Sequence, residues 1–182
     1  MRLSSTLLAC LAVAFAQPAL VQAAMAQQGN PPPACTTAEF RAFDFWIGEW
    51  KAYVTGTDNL AGLSTITRED GGCVVTEHWR SQASNFTGRS LNIYSADTKH
   101  WEQFWVDSTG DITHFIGNAT PDGMDLIAED DTSPGQPKPV FTRMIFTHNP
   151  DGTVRQHGQT SSDRGKTWAD SYDFTYRPVP KG

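Results

Sequence analysis

Cysteine is scarce in this chain, and no two cysteines share a C-x-x-C spacing: the 182 residues hold 3, at Cys10, Cys35 and Cys73. A metal site built on closely spaced thiolates is therefore not encoded. Positive charge is equally thin. Lys and Arg number 14 against 20 Asp and Glu, for a formal net charge of −6, and the cations are scattered. Such a surface does not attract phosphate backbones, which argues against a nucleic-acid partner. After the first residues no run approaches the ~20 apolar residues of a membrane helix. Nor does any stretch of about 10–15 residues with helical periodicity separate the extended segments, which disfavours a parallel α/β sheet. No G-x-S-x-G elbow, H-E-x-x-H pair, phosphate loop or dinucleotide fingerprint occurs, so catalysis is left without a motif.

What is present begins with a leader. Met1-Arg2 supplies a positive start, Leu7 to Ala16 an apolar centre, Pro18 a break and Ala24-Met25-Ala26 a small-residue cleavage site. This predicts a secretory signal peptide over 1–26, with cleavage after Ala23 as the alternative, and an exported protein of the periplasm or the extracellular space. Leu7-Leu8-Ala9-Cys10 mimics a lipoprotein box, but too few residues precede Cys10 to build a membrane-spanning centre there. Taking 26 residues from 182 leaves 156, a comfortable size for one domain with one core, and loss of Arg2 moves the charge from −6 to −7. Residues 27–37, polar and proline-rich at first, read as a flexible leader, and 38–182 as a single domain. All 6 Trp lie after the leader, which argues for a folded domain. Cys35 and Cys73 survive cleavage. An even count in an exported chain reads as one disulfide, tying the N-terminal arm to the start of the third strand; two separate buried thiols are the alternative.

Thr36 or Thr37 can cap a short helix through Glu39, Phe40 and Phe43. Strands dominate from there. Turn signals bound ten extended runs, at 48–56, 63–68, 73–81, 86–95, 100–107, 111–118, 124–129, 140–148, 153–160 and 167–176. Pro121-Asp122-Gly123 and Asn149-Pro150-Asp151-Gly152 suit tight hairpins, because Gly accepts positive φ and Pro presets the first turn position. A longer loop holds Asp130, Asp131, Pro134, Gly135, Pro137 and Pro139. The expected fold is all-β: an antiparallel up-and-down β-barrel of about ten strands with a short N-terminal helix, since closure removes the bare edges that invite aggregation. Ser161-Ser162-Asp163-Arg164-Gly165-Lys166-Thr167-Trp168 matches the Asp-box pattern S-x-D-x-G-x-T-W. That pattern recurs in sialidases, yet it is a hairpin device. Asp163 is expected to bond turn backbone, Gly165 to take the strained position and Trp168 to anchor the next strand.

Gly48-Glu49-Trp50, opening the first strand after Phe43-Asp44-Phe45-Trp46, resembles the Gly-x-Trp entry signature of the calycins, the lipocalin and fatty-acid-binding-protein barrels. Together with Gly72-Cys73, Glu77-His78-Trp79, Gly88, Ser90-Leu91-Asn92-Ile93-Tyr94, the run from Trp101 to Ser108 and the Asp-box hairpin, it resembles the DUF1579-type family of exported bacterial proteins. The resemblance implies a small calycin-like barrel and supplies no catalytic residue. It also implies that Trp50 packs across the closed end with an arginine stacked on it, Arg177 or alternatively Arg41. The nitrobindins, heme-binding barrels with a similar opening strand, suggest heme as a lesser alternative, with His148 or His157 as axial ligand. The five histidines, His78, His100, His114, His148 and His157, follow no metal spacing, and no metal is expected.

Strand alternation separates two faces. Val75, Glu77 and Trp79 share one in the third strand, Ser90, Asn92 and Tyr94 in the fourth, and Trp101, Gln103 and Trp105 in the fifth. These rows mix polar and aromatic residues, which fits a cavity that orients a ligand through a few polar groups. The candidate ligand-binding set is Glu77, Trp79, Ser90, Asn92, Tyr94, Gln103 and Trp105. A buried Glu77 needs a partner, Arg89 or Arg143, or a raised pKa. Outer-surface cross-strand ladders are the competing reading of the same rows. The expected function is an exported, monomeric or dimeric protein that holds a small, partly apolar molecule in the barrel. The alternatives are an isomerase or lyase using Glu77 or a histidine as general base, and an envelope partner-binding protein.

Overall fold

The computed structural model describes residues 35–131 and 140–180; the expected signal peptide and most of the leader lie outside them. Helix α1 (Ala38–Arg41) starts at Thr37, whose hydroxyl turns to Glu39 Oε2 at 2.5 Å rather than capping the backbone. A 3-10 turn at Asp44–Trp46 follows. Ten strands come next: β1 (Gly48–Val54), β2 (Leu60–Glu69), β3 (Val74–Ser81), β4 (Thr87–Ser95), β5 (His100–Asp107), β6 (Ile112–Thr120), β7 (Gly123–Asp131), β8 (Val140–His148), β9 (Val154–Ser161) and β10 (Ala169–Pro178). Each strand pairs antiparallel with the next, and β1 closes on β10 with Trp50 opposite Pro178 and Val54 opposite Phe174. The all-β, up-and-down barrel with a short N-terminal helix is the expected fold, and its physical cause is the one anticipated: closure leaves no free sheet edge.

Individual ends move by a few residues. β2 begins at Leu60 rather than at the expected Leu63, because a register shift at Ala52 and Tyr53 lets β1 keep pairing past the bend. β10 starts and ends two residues later than expected, since Trp168 still belongs to the hairpin tip and Arg177 and Pro178 still face β1.

One end of the barrel is closed by the N-terminal arm. Phe43 and Trp46 are fully buried; Phe43 meets Trp101 and Phe146 edge-on, and Trp46 packs on Phe146 and Tyr176. Trp101 donates its Nε1 proton to the Glu39 carbonyl at 3.2 Å, and Trp50 donates its own to the Trp46 carbonyl at 2.9 Å. An arginine of β2 holds the plug as well. Arg68 donates to the Gly72 carbonyl at 2.8 Å and to the Phe40 carbonyl at 3.4 Å, and pairs with Asp44. The expected Cys35–Cys73 disulfide is present, bridging the arm to the β2–β3 connection.

Trp50 therefore lies at the closed end, but the arginine stack on it does not form. Arg177 stands on the outer face, 4.1 Å over the Tyr53 ring and 2.9 Å from Asp58 Oδ1. Strand alternation decides this: Arg177 pairs with Lys51, so it shares the outward row with Lys51 and Tyr53 while Trp50 points inward. Arg41 lies near Asp44 and Gly72 instead. The closing partners of Trp50 are Trp46 and Tyr176. No helix among the described residues is long and apolar enough to cross a membrane.

Candidate functional site

The opposite end of the barrel opens on a cavity of about 810 Å³. Ten strands enclose more width than their inward side chains fill, and the plug occupies only the closed end. Aromatic rings form the wall: Trp79 from β3, Phe86 before β4, Trp105 from β5, Phe115 from β6, and Tyr172 and Phe174 from β10. Trp79 stacks on Phe174 at 5.7 Å between centroids, and Phe174 on Tyr172 at 5.3 Å. Two glycines make room for these rings. A Cβ on Gly88 would lie 2.1 Å from Trp105, and one on Gly62 2.3 Å from Trp79, so each indole lies flat against bare backbone of the neighbouring strand.

The floor is polar. Glu77, 4% exposed, accepts from Ser64 Oγ at 2.7 Å, and Ser90 also bonds it. The Tyr176 hydroxyl is 3.5 Å from the same Oε1 and 2.6 Å from Gln156 Oε1. A hydroxyl carries one proton, and the shorter contact goes to Gln156. Gln103 donates to Asn92 Oδ1 at 2.6 Å, and Asn92 donates to Ser90 Oγ at 2.9 Å and to the Val75 carbonyl at 2.8 Å. A polar belt thus runs across the lumen from β5 through β4 to Glu77 and on to β10 and β9. Gln103 Oε1 is buried with no partner.

Burial pushes the Glu77 carboxyl up to about 7, against the opposing bonds from Ser64, Tyr176 and Ser90. Burial, with Glu77 nearby, also raises the phenols of Tyr172 and Tyr176. Neither arginine proposed as a partner for Glu77 reaches it. Arg89 is exposed on the outer face. Arg143 forms a two-pronged pair with Asp125, at 2.9 and 2.5 Å, and lies 5.7 Å over Trp168. Odd-numbered residues of β3 point inward and odd-numbered residues of β4 and β8 outward, which separates these arginines from the carboxylate.

The rows read from the sequence face the lumen, not the outer surface. Glu77, Trp79, Gln103 and Trp105 line the cavity. Ser90 and Asn92 stand behind its floor within the polar belt, and Tyr94 packs on Phe40 and Trp101 at the plug. The set read from the sequence omits Gln156, Tyr172, Phe174 and Tyr176. The period-two pattern Tyr172-x-Phe174-x-Tyr176 carries that signal, since alternation puts all three on one face. His148, at the plug end of β8, stacks on Phe45 and does not line the cavity, and His157 bonds Asp170 on the outer face at 2.8 Å. Neither presents an imidazole to the cavity, which removes the axial ligand the heme alternative needed. Among the described residues no cluster of three His, Cys, Asp or Glu is placed to hold a metal.

The Asp box is a turn, as its pattern predicts. Asp163 accepts from Ser161 Oγ, the Thr167 amide and the Thr167 hydroxyl at 2.8, 2.9 and 2.7 Å. Bonds from Thr167 and Ser161 hold its carboxyl down at about 2. Gly165 takes φ +78° beside the Trp168 ring. No family model matches this chain, and no curated protein matches it.

Proposed function

We propose that this is an exported binding protein that holds a small, partly apolar molecule in the barrel cavity. The supporting observation is the cavity itself: about 810 Å³, open at one end, walled by aromatic rings and floored by a few buried polar groups, one of them unsatisfied. The disulfide supports export, since such bonds persist in oxidising compartments. A DUF1579-type, calycin-like relationship is consistent with the barrel and forms part of this proposal. Native mass spectrometry of protein purified from its own periplasm tests it. A co-purifying small molecule, lost on denaturation, is expected; protein that is repeatedly empty and takes up no added ligand would sink it.

A second reading draws on Glu77. A carboxyl near 7 in a pocket, beside a phenol, suits proton transfer, so the same cavity supports an isomerase or lyase with Glu77 as general base. A third draws on the outer wall. Among the described residues, Leu91, Phe104, Val106, Ile112 and Ile116 are large hydrophobics exposed on β4, β5 and β6, a surface that suits an envelope partner.

A further inference from the structure

The cavity offers acceptors and no cation. Glu77 stands at its floor and Asp111 at its rim, after the β5–β6 turn. Among the described residues that line it there is no Lys, Arg or His. The groups facing Glu77 are Ser64 from β2, Ser90 from β4, and Tyr172 and Tyr176 from β10. All four are hydroxyls that stay neutral near pH 7. A carboxylate with only such neighbours is costly to ionise in a buried site, and a cation brought in from outside would relieve that cost.

The unmet hydrogen bonds point the same way. Two buried oxygen atoms of the cavity wall lack a partner, Gln103 Oε1 and Asp111 Oδ1, and both can only accept. Gln103 is 1% exposed and its Nε2 is committed to Asn92, so its unpartnered oxygen adds negative potential just behind the floor that Glu77 presents. The rings around these acceptors add a third preference. Indole and phenol faces carry negative quadrupoles that attract cations, most strongly where water is excluded. A carboxylate or phosphate ligand would meet Glu77, Asp111 and the rings of Trp79 and Trp105, with no cation in the lining to balance it.

We propose that the cavity takes an organic cation: a partly apolar amine whose hydrocarbon body packs against Trp79 and Trp105 while its N–H groups donate to Glu77. This rests on the cavity being a binding site and specifies the class of molecule it selects. Binding is coupled to proton release, because Glu77 is partly protonated in the empty protein near pH 7 and ionises against the ammonium.

Titration calorimetry on the disulfide-bonded chain with three matched probes decides the matter: naphthylethylamine, naphthylethanol and naphthylacetate, near pH 7. The amine is expected to bind about 10-fold or more tightly than the alcohol, with the acetate weakest. Its heat should vary with the ionisation enthalpy of the buffer, reporting the released proton. In E77Q the amine's advantage over the alcohol and the buffer dependence should both vanish. Equal affinity for amine and alcohol, or preference for the acetate, overturns the cation assignment and leaves the binding site standing. Failure of all three probes to bind the folded protein removes both. The ranking of the three probes on the unsubstituted chain separates these outcomes even if E77Q does not fold.

Discussion

Glu77 is the residue with the largest consequences. Its carboxyl is buried among hydroxyls, and its pKa rises from an ordinary 4.5 to about 7. The folded protein then binds more protons than the unfolded chain between those two values, so stability contributed by Glu77 is complete below about pH 4.5 and is lost as pH rises through 7. The loss at pH 8 is roughly 2–4 kcal/mol. Glu77→Gln keeps the shape without the charge and is expected to recover most of that loss at pH 8 while changing little at pH 5. Urea unfolding of both proteins at the two pH values checks this. A substitution equally neutral at both would mean that the carboxylate is solvated in the native state. Gly88 shows a second residue-scale constraint. A methyl there collides with Trp105, so Gly88→Ala should push the indole into the cavity and shrink it, read as weaker probe binding with the fold retained.

At the scale of elements, alternation and turn chemistry explain most of what the strands do. β3, β4 and β5 each present a mixed row inward, and the polar members of adjacent rows meet in register: Glu77 opposite Ser90, Asn92 opposite Gln103. The last hairpin depends on one side chain. Asp163 holds the Thr167 amide and hydroxyl and accepts from Ser161, and its depressed pKa keeps it ionised until pH falls to about 2. Because the folded value lies below the unfolded one, its contribution is present above about pH 4 and fades as pH drops toward 2. Asp163→Asn should leave the barrel folded and speed hydrogen exchange at the Thr167 amide relative to the β8–β9 amides. Unchanged exchange would show that Trp168 and Gly165 hold the hairpin without it.

For the whole molecule, the barrel has two unlike ends because the N-terminal arm fills only one of them. The arm is too short to fold alone: α1 has 4 residues, and its stability comes from Phe43 and Trp46 in the core and from the disulfide. With its cysteines 38 positions apart, the bridge is worth roughly 3–4 kcal/mol in the chain-entropy model. Cys73→Ser should lower unfolding stability by about that amount, and Phe43→Ala by roughly 3–5 kcal/mol through the cavity it leaves. Denaturant titration measures both. A Cys73→Ser protein as stable as the parent would mean that Arg68 and the buried rings hold the plug unaided.

Strands, turns and inward faces are legible in the order of residues alone, because each is set by neighbours a few positions away: Asp-Gly tips, period-two rows, the Asp-box pattern. The barrel is legible too, since ten consecutive hairpins have no better way to satisfy their edges. Which inward residues became a site is a matter of three-dimensional assembly. Ser90, Asn92 and Gln103 belong to one polar belt, yet only Gln103 looks into open space, and Tyr176 reaches Glu77 across 99 positions of chain. Those outcomes depend on where the plug stops and how wide ten closed strands stand apart, quantities that no local pattern records. The failed Arg177–Trp50 stack has a local cause instead: alternation along Tyr172-x-Phe174-x-Tyr176 turns Arg177 outward, while Trp50 points in.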